Sequence, residues 1–101
     1  MQEIFGVNSH VRDVCNEFSA HGYVAIAPAL FDHFEHDVQL AYDSEGVRRG
    51  KALVDRLGFD QALQDIHATA TVLEEHGRVG VVGYCWGGTV AWVAAAKVTG
   101  L

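Results

Sequence analysis

The stretch Val79-Gly80-Val81-Val82-Gly83-Tyr84-Cys85-Trp86-Gly87-Gly88 restricts the fold more than any other part of the chain. It reads as a short buried strand, a G-x-C-x-G turn and a helix that covers Thr89 to Lys97 and is apolar nearly all round. A turn of this kind forces its central residue into a strained backbone conformation. The residues two before and two after must then be very small, because their backbones pass close together. Gly83 and Gly87 meet that need, and Gly88 lets the helix pack tightly behind the strand.

This is the nucleophile-elbow pattern with cysteine in place of serine. The thiol of Cys85 is expected to project over a helix N-terminus, which favours negative charge and hence the thiolate. The backbone N–H of Trp86 would point at a developing oxyanion. The competing reading of Cys85 is an inert, buried cysteine on a glycine-rich turn. Cys15 falls on the apolar stripe of a helix and reads as core.

The rest of the chain alternates helices and strands. Asn8 and Ser9 cap a helix whose apolar positions are Val11, Val14, Cys15 and Phe18, with Gly22 as its stop. Tyr23-Val24-Ala25-Ile26-Ala27, closed by Pro28, reads as a strand buried on both faces. Leu30 to Asp43 is acidic, carries histidines and reads as a loop. Ser44 caps a helix through Val47, Val54 and Leu57, weakened at Gly50. Asp60 caps another, with Leu63, Ile66, Ala70 and Leu73 on one face and Gly77 as its stop. The order predicts an α/β fold with a parallel sheet and flanking helices. Only two strands are recognisable, so the chain is expected to be an internal slice of a larger domain.

Of 101 residues, half are apolar and a fifth charged, the balance of a globular protein. The net charge of −6 argues against nucleic acid and anionic membrane surfaces as partners. Met1 to Gly6 lacks the form of a signal peptide, and two cysteines make no disulfide framework, so a cytoplasmic setting is expected. His33-x-x-His36-Asp37 lacks a third clear ligand, so no metal site is expected there.

Gly83-Tyr84-Cys85-Trp86-Gly87-Gly88, with Gln2-Glu3-Ile4-Phe5-Gly6-Val7-Asn8, Gly22-Tyr23-Val24-Ala25 and Ala27-Pro28 between, resembles the dienelactone hydrolase family over essentially the whole chain. Class I glutamine amidotransferases share a G-x-C-x-G elbow but usually continue with histidine-glutamine, where this chain has Gly88-Thr89. The resemblance implies part of one α/β-hydrolase domain over residues 1–101, truncated at both ends. It implies Cys85 as nucleophile, forming a thioester acyl-enzyme. Glu3 matches the family's activating glutamate, and the Ile4 N–H its second oxyanion donor beside that of Trp86. Arg49 matches an arginine that binds a substrate carboxylate, with Arg48 as competitor. The implied substrate is a small, anionic ester or lactone, and no cofactor is implied. The family's triad aspartate and histidine follow the elbow at a distance that this sequence does not reach. The isolated chain is therefore expected to have little activity. The alternative is a truncated, non-catalytic fragment.

Overall fold

The computed structural model describes residues 1–101. Three α-helices organise the chain: α1 (Ser9–Ala20), α2 (Ser44–Leu73) and α3 (Trp86–Lys97). Short 3-10 turns occupy Leu30–His33 and Glu74–His76.

Each helix starts for a local reason. The Asn8 side chain accepts a hydrogen bond from the Val11 N–H at 3.1 Å, closing the first turn of α1. Asp43, not Ser44, caps α2, accepting from Gly46 N–H at 2.7 Å. Gly46 fits there because a β-carbon would collide with the Ala41 carbonyl. The two helices expected between residues 44 and 76 run on as one element, broken at Gly58, whose backbone is left-handed (φ 71°, ψ 165°). That break falls two residues before the expected cap, Asp60.

The core lies where α2, α3 and the Leu30–His33 turn meet. Leu30, Phe31, Leu53, Leu57, Ala62, Ile66, Val90 and Ala94 form it, and Leu30 and Phe31 are among the most deeply buried side chains. The segment read as a plain loop thus supplies the centre of the core. On α1 only Val11 is buried, while Val14, Cys15 and Phe18 are half-buried.

The expected parallel sheet is not present, and this corrects the predicted fold class. Residues 23–29 and 78–84 carry no strand, and the only bridges are isolated antiparallel ones, Glu3 with Gly6 and Gly6 with Gln39. No backbone hydrogen bond joins the two apolar runs. Both instead line one apolar cavity of about 370 Å³, with Met1 and the inner face of α1. A strand exists only through its ladder, and the two runs do not pair with each other. They are not buried on both faces either: Tyr23 is 64% exposed, Val24 54% and Val82 46%.

Candidate active site

The elbow is built as its residue types require. Cys85 precedes the first residue of α3 with φ 55° and ψ −125°, a conformation that L-residues rarely adopt. Only two non-glycine residues have positive φ, the other being Asp37. A β-carbon at Gly83 would collide with the Gly87 carbonyl oxygen, so the crossing of the two backbones needs glycine. Cys85 is exposed, and its thiol has no hydrogen-bond partner within the chain. Gly88 and Thr89 turn back onto the Cys85 carbonyl at 2.9 and 3.4 Å. The Trp86 N–H, at the helix start, has no intrahelical acceptor. The Trp86 ring lies nearly parallel to the core Phe31, 6.1 Å between centroids.

The loop bearing Glu3 and Ile4 is wedged against this elbow. A β-carbon at Gly87 would run into the carbonyl oxygens of Gln2 and Met1. On its other side, a β-carbon at Gly50 of α2 would collide with the Ile4 carbonyl. The Gln2 side chain, 1% exposed, anchors the loop. Its Oε1 accepts from the Leu30 N–H and its Nε2 donates to the Glu3 carbonyl, both at 3.1 Å. The Ile4 N–H meets no acceptor in the chain. The structure therefore packs the Met1–Gln2 backbone that leads into Glu3 and Ile4 against Gly87 of the elbow, and the Ile4 and Trp86 N–H groups have no acceptor in the chain.

The Glu3 carboxylate is held by a tyrosine. Tyr42 Oη donates to Glu3 Oε1 at 3.0 Å and accepts from Asn8 Nδ2 at 2.9 Å. The Tyr42 ring meets Phe5 edge-on at 4.5 Å. The Tyr42 phenol titrates above its ordinary range, first through desolvation. Donation from Asn8 pulls it down, and the hydrogen bond and charge of Glu3 push it up.

The two candidate arginines differ. Arg48 makes a two-pronged contact with Glu45 on the exposed face of α2, which raises the arginine's pKa and lowers the glutamate's through the hydrogen bond between them. Arg49 donates from Nη2 to Glu35 Oε2 at 2.7 Å and is half-exposed. It adjoins Gly50, the residue packed on Ile4. His33 and His36 diverge, His33 to Asp65 at 2.8 Å and His36 towards Asp32 at 3.6 Å. Sequence reasoning gave no role to Gln2, quoted only within the family-like stretch, or to Tyr42. Those roles come from partners 28 and 39 residues away.

The family model described as "Dienelactone hydrolase family" matches residues 1–101. A "Putative carboxymethylenebutenolidase" of Synechocystis sp. is 36% identical over 98% of this chain and 42% of its own length. A protein of the same description from Escherichia coli is 37% identical over 95% of the chain and 36% of its own length. The "Carboxymethylenebutenolidase" of Pseudomonas putida is 32% identical over 95% of the chain and 43% of its own length. The chain thus spans about two fifths of the length of the curated relatives it matches. Matched from end to end by that family model, the chain belongs to the dienelactone hydrolase family.

Proposed function

We propose that the protein of which these residues form part hydrolyses carboxylic ester bonds in small anionic lactones or esters, with Cys85 as nucleophile. The observation that carries this reading is the backbone of Cys85: a strained residue at the start of a helix, exposed, with glycines at the two points of closest approach. Strain of this kind persists only where the surroundings hold it, and it clusters at reactive positions.

In this reading Glu3 takes the thiol proton as Cys85 Sγ attacks the carbonyl carbon. The N–H groups of Ile4 and Trp86 stabilise the oxyanion. Collapse of the tetrahedral intermediate expels the alkoxide or enolate and leaves a thioester, which water then hydrolyses to the acid. Arg49 exchanges its intramolecular carboxylate, Glu35, for that of the substrate. Its pairing with a carboxylate at 2.7 Å supports this use, because the guanidinium is already oriented towards such a group. No helix of the chain is long and apolar enough to cross a membrane.

The test is acyl trapping. The chain is incubated with p-nitrophenyl acetate, quenched in acid and mapped by peptide mass spectrometry. Acetylation at Cys85, absent in Cys85→Ala, is expected. Acetylation elsewhere, or none, refutes the nucleophile assignment. A second reading, that these residues alone do not turn over, is favoured by the thiol's lack of any histidine partner. Under it, acylation stops near one equivalent, and sustained Cys85-dependent release of nitrophenol sinks it.

A further inference from the structure

The geometry points to Tyr42 as a positioning residue for Glu3, fixing one carboxylate oxygen and leaving the other free for the thiol proton. The inference rests on the reading of Glu3 as the group that activates Cys85. Its own basis is the chain of contacts from the cap of α1 to the carboxylate. Asn8 Oδ1 holds the Val11 N–H while its Nδ2 donates to Tyr42 Oη, so the amide is fixed at both ends. With that donor in place, the phenolic proton is left to point at Glu3 Oε1, at 3.0 Å. Phe5 fixes the tyrosine ring edge-on, and the Phe5 carbonyl accepts from Leu40 N–H at 2.9 Å, tying the strap that carries Tyr42 to the Glu3 loop. Glu3 Oε2 has no partner in the chain.

A carboxylate on a flexible side chain is a weak general base when it is free to rotate. Held at one oxygen by a donor, it presents the other oxygen in one direction. Tyr42 touches neither the thiol nor the substrate in this scheme, and acts only through Glu3.

The experiment uses the full 101-residue chain with Tyr42→Phe and Glu3→Gln. Phe keeps the edge-on contact with Phe5 and removes only the hydroxyl. Alkylation of Cys85 by iodoacetamide is followed by peptide-resolved mass spectrometry across pH, with Cys15 as the internal reference for an intact fold. Tyr42→Phe is expected to slow Cys85 about fivefold near neutral pH, the scale of one hydrogen bond. The rates should converge at alkaline pH, where the thiol ionises unaided, and Cys15 should be unchanged. A structural defect would instead shift both cysteines at every pH. If Glu3→Gln slows Cys85 but Tyr42→Phe does not, the positioning role is overturned and the Glu3 reading stands. If Glu3→Gln has no effect, the activation reading itself fails and the inference with it. An independent readout is the phenolate absorbance of Tyr42 in a Tyr23→Phe, Tyr84→Phe background. Adding Glu3→Gln should lower its midpoint, and an unmoved midpoint refutes the contact.

Discussion

Replacing Gly87 by alanine should separate the elbow from the Glu3 loop, and the structure sets the scale. The new β-carbon would lie 2.6 Å from the Met1 carbonyl oxygen and closer still to that of Gln2, against ordinary contact at 3.4 Å and beyond. The loop cannot yield freely, because the buried Gln2 side chain is fixed at 3.1 Å to both Leu30 and Glu3. Overpacking against fixed backbone costs about 3 kcal/mol at the upper end of its usual range. Alanine in place of glycine within a helix returns about 1 kcal/mol. The net loss is about 2 kcal/mol, or about 2 M in urea midpoint for an m-value of about 1 kcal/mol/M. Gly88→Ala is the control. There the nearest atom, the Gly83 carbonyl oxygen, lies at 3.3 Å, so a small adjustment suffices and the helix gain offsets it. Trp86 and Trp92 on α3 report the transition by fluorescence. A Gly87→Ala midpoint equal to or above that of Gly88→Ala would refute the reasoning.

Arg49→Ala should lower the rate of Cys85 carboxymethylation by anionic iodoacetate relative to neutral iodoacetamide, whereas Arg48→Ala should leave the ratio unchanged. Equal effects would remove Arg49 from the anion site. Gln2→Leu leaves the buried Leu30 N–H without its acceptor, so a loss of about 1–3 kcal/mol in urea unfolding is expected, and a neutral result contradicts the anchoring role. Tyr42 is favoured in its neutral form by the fold, so its contribution to stability is intact below the ordinary tyrosine range near pH 10. It is lost as pH rises through the higher folded value. The urea midpoint of the native chain should therefore fall more steeply above pH 10 than that of Tyr42→Phe, and parallel curves would count against the shift.

What could be read from the sequence was local. The turn at Gly83–Gly87 has its residue requirements written within five positions, and the elbow conformation follows from them. The cap at Asn8 and the apolar stripe of α1 are similarly short-range. The absence of the expected sheet was not legible, because an apolar run states that a segment avoids water but not which backbone, if any, it pairs with. Tyr23–Pro28 and Val79–Gly83 have strand-like composition and no ladder. Leu30 and Phe31 were missed because periodicity needs length, and a four-residue turn has none. The Glu3 contacts were invisible for the same reason, that partners distant in sequence leave no local mark: Tyr42 is an ordinary loop tyrosine until the fold sets it beside a carboxylate.

The wedged N-terminal loop has a kinetic consequence. Its ties reach across very different spans of chain: 28 residues from Gln2 to Leu30, 39 from Glu3 to Tyr42, and 81 from the Met1 amine to the Val82 carbonyl. Closing the longest of these costs about 1 kcal/mol more in chain entropy than closing the shortest. The contacts around Glu3 are therefore expected to form ahead of the more distant meeting of Gly87 with Gln2. Thiol reactivity at Cys85 is then expected to lag behind the helical signal, because Cys85 and the Glu3 loop lie on opposite sides of the longest of these three closures.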